Sequence, residues 1–305
     1  MKSNNYPKVI TILLNWNQEK DTTECLNSLK NITYPNNTVI LVDNGSKDGS
    51  QDNIQKKFPD VEVIRNAFNV GFAEGNNIGI RKALKVNCDF ILLLNNDTVL
   101  EPDFLDILIN AAKENNEAGI FSPQIMFYNN KDKIWFIGGG YMPVMKKPFH
   151  FYYNQKDLGQ VQNNSETQWV SGCCMLIRKK VIEKIGFLDS DYFNNYEDVD
   201  FCRRAQSAGF KIMVVPEAKI YHKFAASMGG KFSPFYTYFR TRNNLLFFKK
   251  TKQYLPLLLN FMVFPAYSFL QSIRRYDLTG IKSTFYAVRD FVFNKTGRGS
   301  IEKLK

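Results

Sequence analysis

"FILLLNNDTVLEP", residues 90–102, decides the fold. Five consecutive apolar residues, Phe90 to Leu94, read as a strand buried on both faces, the mark of a parallel sheet covered by helices. The run stops at Asn95, Asn96 and Asp97. Turn chemistry accounts for such a tip, since Asn and Asp favour turns. A ligand site accounts for it too, because open α/β sheets bind ligands at the carboxyl ends of their strands.

The same rhythm runs back to the start of the chain. "KVITILLNW" is strand-like and ends in Asn15 and Asn17; "NTVILVDNGS" is a second strand ending in Asp43 and Asn44. Between them, "QEKDTTECLNSLKNI" places Cys25, Leu26, Leu29 and Ile32 at helical spacing. "SKDGSQDNIQKKF" reads as a capped helix, "DVEVIRN" as a strand and "AEGNNIGIRKALKV" as a helix. This β-α-β-α-β-α-β order predicts a parallel sheet with right-handed crossovers. Its strand tips share one edge, so three polar tips converge where a polar ligand would sit. "NVGFAEGNNIG" (69–79) sets glycines around a helix start, whose N–H groups suit an anion. It matches neither the dinucleotide nor the P-loop glycine pattern.

Downstream, "EPDFLDILINAAKEN" is an amphipathic helix, and residues 127–168 read as a long excursion. Regularity returns with the strand and helix of "TQWVSGCCMLIRKKVIEKIGFLD" and the helix and strand of "YEDVDFCRRAQSAGFKIMVVPEAKIYH".

Bulk properties narrow the function. A chain of 305 residues, 44% hydrophobic and 23% charged, is globular. Five cysteines without CxxC spacing fit neither a disulfide framework nor a zinc knuckle, and two histidines exclude a His-rich metal centre. No opening segment has signal-peptide form, which predicts a reducing cytoplasm. The net charge of +11 is confined to the tail: residues 223–305 hold 15 Lys and Arg against 3 Asp and Glu. Such asymmetry suits an anionic surface, membrane or nucleic acid.

Taken in order, "LLNWN", "ILVDNGSKDGS", "NVGFAEGNNIGI", "LLLNNDT", "WVSGCCMLIRKKVIEKIGFLD", "FNNYEDVDFCRRAQSAGF" and "VPEAKIYHKFAAS" resemble family-2 glycosyltransferases, in particular the rhamnosyltransferase-like branch. The resemblance implies a GT-A fold, with a Rossmann-like, mostly parallel central sheet flanked by helices. The expected glycosyltransferase domain is 1–230, with a nucleotide-binding half over 1–125 and an acceptor half over 126–230. A basic, aromatic helical extension follows over 231–305. The resemblance further implies inverting transfer from a nucleoside-diphosphate sugar, dTDP-rhamnose or a UDP-sugar, to a hydroxyl of a bacterial surface glycan, lipid-linked.

Site residues follow by position. The family's DxD-like motif reads Asn95-Asn96-Asp97 here, so Asp97 is the expected ligand of a divalent metal, Mn²⁺ or Mg²⁺. His222, in "PEAKIYH", lies where relatives present a His to that metal. Asp43 corresponds to the carboxylate that reads the base; Leu14, Asn15 and Trp16 are the expected base wall. Asn76 is expected near base or diphosphate, Asn95 at ribose or a metal-bound water, and Gly71 and Asn96 elsewhere in the nucleotide site. In "NYEDVDF" the resemblance makes Asp198 the general base that deprotonates the acceptor hydroxyl, with Glu197 orienting the acceptor. Asp200 is the expected helix-start residue. Trp169 and Gly172 are expected to line a sugar, and Arg203 and Arg204 are candidates for the diphosphate. Cys173 and Cys174 read as small core residues.

"YLPLLLNFMVFPAYSFLQSI" (254–273) carries no charge and is flanked by "KKTK" and "RR". Pro256, Pro265, Asn260 and Gln271 weaken a spanning helix, so the expectation is interfacial contact over 249–275 at the inner face of the cell membrane. A buried helix pair or an oligomer interface is the alternative for this segment. No nucleic-acid motif accompanies the basic tail, so nucleic acid is not an expected partner. The rival to the enzyme is a non-catalytic binding or scaffold protein of the same fold, with its DxD motif decayed.

Overall fold

The computed structural model describes residues 6–223 and 233–304. The expected domain boundary at 230–231 lies outside them. The front half alternates as the apolar runs require: β1 (Val9–Asn15), α1 (Glu19–Lys30), β2 (Asn37–Asp43), α2 (Ser50–Lys57), β3 (Glu62–Arg65), α3 (Phe72–Ala83) and β4 (Phe90–Asn95). β5 (Thr98–Leu100), α4 (Phe104–Glu114) and β6 (Ala118–Phe127) follow. The stretch expected to be an excursion is built of short strands, β7 (Asn130–Phe136), β8 (Gly139–Tyr141), β9 (Pro148–His150) and β10 (Ser165–Glu166). Then come β11 (Cys174–Arg178), α5 (Lys179–Ile185), α6 (Glu197–Ser207) and β12 (Lys211–His222). Three helices close the described chain, α7 (Pro234–Lys250), α8 (Tyr254–Arg274) and α9 (Leu278–Val292).

One sheet organises the molecule, in the order β10-β12-β6-β11-β4-β1-β2-β3, with β5 on β12 and β7 on β6. β4, β1, β2 and β3 are mutually parallel. Ile10, Ile12, Leu13, Ile91, Leu92 and Leu93 are buried between the helical layers, as two-sided burial of a parallel strand demands. β11 runs antiparallel between β4 and β6, and β12 runs parallel to β6. The ends of β1, β2, β4, β6 and β12 and the start of β11 therefore meet along one edge. That edge carries every polar tip read from the sequence.

The C-terminal helices do not stand apart from this core. Leu246, Phe247 and Phe248 of α7 are buried in the same apolar cluster as the central strands. α8 is a single helix despite Pro265 within it. Its buried residues are Asn260, Phe264 and Ser272, so most of its apolar side chains face outward.

Candidate active site

Register places the first polar tips side by side: Asn15 pairs with Asp43, and Leu14 with Asn95. Asn15 is fully buried and acts as a hub. Its amide lies 2.8 Å from Asp43 Oδ1 and 2.9 Å from Ser50 Oγ, while its Oδ1 accepts from Thr22 at 2.8 Å. Asp43 Oδ2 accepts the Ser46 N–H at 3.0 Å, which closes the turn after β2. Asn44 braces the next loop, accepting from Val70 N and donating to Gly71 O. Trp16, at 39% exposed, is the residue of the expected base wall that presents a free ring. Asn15, expected in the same wall, is buried and shapes the tip from within.

At the β4 tip, Asn96 donates to Thr22 Oγ1 and Gln18 Oε1, so it too is committed internally. Asn95 is half-buried, and its carbonyl accepts from Thr98. Asp97 is only 3% exposed and lies 3.1 Å from His222 Nε2 through Oδ1. The pairing of β5 with β12 sets His222 opposite Thr98, and Lys223 N donates to Asp97 O. Burial pushes the Asp97 carboxyl up, but the His222 imidazole beside it, with a backbone hydrogen bond and the Lys223 charge, holds it below the usual range. Oδ1 has no well-directed hydrogen bond of its own. A carboxylate oxygen and an imidazole nitrogen at one point fit a divalent cation that draws its other ligands from a diphosphate and water. Among the described residues no cluster of three or more His, Cys, Asp or Glu forms a complete protein cage.

The second pole is the start of α6. Gly172 N donates to Asp198 Oδ2 at 2.9 Å, and Val199 N to Asp198 Oδ1 at 2.8 Å. Burial nevertheless pushes the Asp198 carboxyl above its ordinary value, against those two hydrogen bonds. Glu197, 5% exposed, is raised well above the usual range by burial and then by Asp198, and its Oε2 meets no hydrogen-bond partner. The residue pair Gly172-Cys173 joins the two poles: Gly172 N holds Asp198, while Cys173 O accepts Asn95 N at 2.8 Å.

The turn before α6 is strained. Phe193, Asn195 and Tyr196 all have positive φ, at 63°, 68° and 79°. Asn194 N donates to Tyr192 O at 2.7 Å, a γ-turn about Phe193. Such conformations cost about 1–3 kcal/mol each and persist only where surroundings over-determine them. α3 supplies part of that support: Phe72 N donates to Phe193 O at 2.6 Å. Gly71, at φ +92°, is required there, since a Cβ would fall 2.6 Å from the Phe193 ring and carbonyl.

Other expected residues fall as follows. Leu14 is half-buried beside α3, and Asn76 is buried within that helix, donating back to Phe72 O. Trp169, expected to offer a ring to a sugar, is 4% exposed and donates its indole N–H to Gly140 O at 3.2 Å; it belongs to the core. Arg204, a diphosphate candidate, is committed to Asp200 at 2.7 Å and to the carbonyls of Ile185 and Phe187. Asp200 is thereby a buried partner of Arg204 and not merely a helix-start charge. Cys173 and Cys174 are buried free thiols. The sequence reading missed Ser46, Ser50 and Thr22 as the frame of the donor tip. It also missed Arg242-Asn243-Asn244, a polar triplet in an aromatic helix, whose composition was the available signal.

The chain belongs to glycosyltransferase family 2, whose model, described as "Glycosyl transferase family 2", matches residues 10–186. It is 28% identical over 211 residues to the N-acetylglucosaminyl-diphospho-decaprenol L-rhamnosyltransferase of Mycobacterium tuberculosis, covering 63% of this chain and 68% of that protein. Against the dTDP-rhamnosyl transferase RfbF of Shigella flexneri the identity is 27% over 276 residues, covering 85% and 84%. The fold is GT-A. It matches the mannosyltransferase PcManGT from Pyrobaculum calidifontis, solved with GDP-Man and Mn²⁺, at a TM-score of 0.61 and 14% identity, over 96% of this chain and 89% of that one.

Proposed function

We propose that this glycosyltransferase inverts the anomeric centre as it moves a sugar, from dTDP-rhamnose or a UDP-sugar, to a hydroxyl of a bacterial glycan carried on a lipid. The observation that carries the reading is the pair Gly172-Cys173, whose successive residues fasten the carboxylate of Asp198 and the tip at Asn95 to one segment. Attack, proton removal and departure of the diphosphate then occur within one pocket.

In this reading the acceptor hydroxyl attacks the anomeric carbon from the Asp198 side, opposite the diphosphate. Its proton passes to an Asp198 oxygen as the new C–O bond forms and the bond to the diphosphate breaks. The raised affinity of Asp198 for a proton suits it to accept one as the hydroxyl attacks. Glu197, buried beside it, orients the acceptor. Asp97 and His222 are the residues that would hold a divalent metal, Mn²⁺ or Mg²⁺, which when bound supplies charge neutralisation for the leaving diphosphate. Trp16, Leu14, Asp43, Gly71, Asn76, Asn95 and Asn96 form or frame the nucleotide pocket, and Gly172 lies where acceptor and donor sugars meet.

The outward face of α8 supports a place for the enzyme at the inner leaflet, beside a lipid-linked acceptor. Leu255, Leu258, Met262, Phe269 and Ile273 are exposed along one stripe, with Lys252, Arg274 and Arg275 at its ends. Among the described residues α8 is the one helix long and apolar enough to cross a bilayer.

Calorimetric titration of UDP, dTDP and GDP, with Mn²⁺ or Mg²⁺ and then with chelator, tests the donor site. One pyrimidine diphosphate is expected to bind, and binding is expected to vanish with chelator or in Asp97→Ala. Metal-dependent binding of GDP alone, or binding of a pyrimidine diphosphate indifferent to metal and to Asp97, would count against this reading.

A further inference from the structure

The strained turn that presents Asp198 is gripped from the C-terminal helices. Arg242 is fully buried on α7. Its Nη2 lies 3.2 Å from Asp191 O and 3.1 Å from Tyr192 O. Asn243 Nδ2 lies 2.7 Å from Tyr192 O and 2.8 Å from each of Asn194 O and Asn195 O. Its amide orientation is fixed because Arg242 Nε donates to Asn243 Oδ1 at 2.9 Å. Asn244 Nδ2 donates to Tyr196 Oη at 2.7 Å.

The carbonyls of the turn from Asp191 to Tyr196 are then all accounted for. The carbonyls of Asp191, Tyr192, Asn194 and Asn195 accept from Arg242 or Asn243, that of Phe193 from Phe72 N, and that of Tyr196 from Asp200 N within α6. A segment with three residues of positive φ has four of its six carbonyls gripped by side chains of one remote triplet. Ring contacts reinforce the grip, since Phe193 stacks on Phe239 of α7 with centroids 5.1 Å apart. Arg242 is itself anchored on its far side by Gly297 O at 2.7 Å and by Tyr238, whose hydroxyl donates to the buried Asp290 of α9.

We propose that Arg242, Asn243 and Asn244 are positioning residues for the transfer: they fix the backbone that aims Glu197 and Asp198, and so make α7–α9 part of the catalytic apparatus. A fold-only role predicts that a folded variant works normally. A positioning role predicts loss of turnover with binding intact, because small displacements of a reacting group cost large factors in rate. The inference rests on the reading of Asp198 as general base, and its test separates the two.

The experiment compares the full-length wild type with Asn243→Ala and Asn244→Ala. Three quantities are read: turnover of dTDP-rhamnose or the active UDP-sugar, affinity for the matching nucleoside diphosphate, and hydrogen exchange of amides 194–199. For Asn243→Ala, kcat is expected to fall about 100-fold with donor KM and nucleotide affinity held within about two-fold. Exchange at 194–199 is expected to accelerate while that of β1 and β4 stays unchanged. Asn244→Ala, which removes one contact, is expected to lose about ten-fold in kcat, and it decides the matter if Asn243→Ala does not fold. A folded variant with wild-type kcat and wild-type exchange at 194–199 overturns the proposal. If the wild type turns over no donor, the functional reading has failed, and exchange alone judges the grip: acceleration at 194–199 upholds it and unchanged protection overturns it.

Discussion

Gly172 donates its backbone N–H to Asp198 Oδ2 at 2.9 Å, across 26 positions of sequence. A glycine suits the place because a Cβ would come within 3.2 Å of the Phe72 ring and 3.6 Å of Asp198 Cβ. The bond turns one oxygen of the carboxylate toward β11 and fixes the other against Val199 N, so the group is aimed before any acceptor arrives. Burial without an opposing cation raises its proton affinity. As the proposed general base Asp198 must be ionised to act, so on this reading activity should fall on acidification at a pH above the ordinary carboxylate range. That limb should appear in kcat/KM, which reports the free enzyme.

Asp198→Asn keeps the shape and removes the proposed base. Turnover is expected to drop by about 10²–10⁴-fold. Nucleoside-diphosphate affinity should be unchanged, because the donor tips do not depend on this side chain. A calorimetric titration beside a turnover assay checks both; weakened nucleotide binding would show that Asp198 serves the donor instead.

Glu197 gives a pH prediction of the opposite character. Burial, then the neighbouring Asp198, raises its carboxyl well above the unfolded value, so the folded state takes up a proton at this site. Its contribution to stability is present below the unfolded pKa and is lost as pH rises toward the folded one. Glu197→Gln removes the ionisation. The variant's melting temperature should therefore decline less than that of the wild type between mildly acid and alkaline pH, while its activity falls. Parallel melting curves across that range would show that the buried carboxyl is not burdened as described.

Much of this was legible in the sequence, and the reason is geometric. A parallel strand covered on both faces must be an unbroken apolar run, as Phe90–Leu94 is, and parallel strands put all their carboxyl tips on one edge. The convergence of Asn15, Asp43 and Asn95–Asp97 followed from the alternation alone. What could not be read was which tip residues face inward. Asn15 and Trp16 are sequence neighbours on an alternating strand end, yet one is sealed in a four-bond hub and the other is open to solvent. Asn243 was invisible for a different reason. Its partners are backbone carbonyls about 50 positions upstream, and a carbonyl leaves no trace in residue type. For Trp169 the sequence left a sugar platform and a core indole open, since both have the same letter, and the side chain lies in the core.

Asn77 tests the joint between α3 and the segment leading to the Asp198 turn. Its amide donates to Leu188 O at 2.8 Å and its Oδ1 accepts from Leu188 N at 3.0 Å, both buried. Asn77→Ala leaves two backbone groups without partners where water has little access, a loss of about 2–4 kcal/mol. Denaturant titration should show the shift in midpoint with an unchanged slope. A loss below about 0.5 kcal/mol would mean that the pair is replaced by water or local rearrangement.

The exposed face of α8 tests the proposed place of the enzyme at a membrane surface. An exposed apolar stripe ended by Lys252, Arg274 and Arg275 is expected to bind vesicles containing phosphatidylglycerol and to bind pure phosphatidylcholine weakly. Added salt should loosen the first interaction, since screening shortens the reach of the charges. The double variant Leu258→Asp/Met262→Asp breaks the stripe at two exposed positions one turn apart, away from the buried Asn260, which ties α8 to Met145 O at 2.8 Å. It should stay folded, retain turnover of a soluble acceptor analogue and lose co-sedimentation with anionic vesicles. The same variant also tests the competing occupant, a second copy of the chain. If wild-type protein sediments as a dimer that the double variant dissociates, and neither binds vesicles, the stripe is a self-association face and the lipid reading is wrong. If vesicle binding disappears in the variant while the wild type is monomeric, the basic tail's excess charge and α8 act together to hold the acceptor pocket at the leaflet from which a lipid-linked glycan is presented.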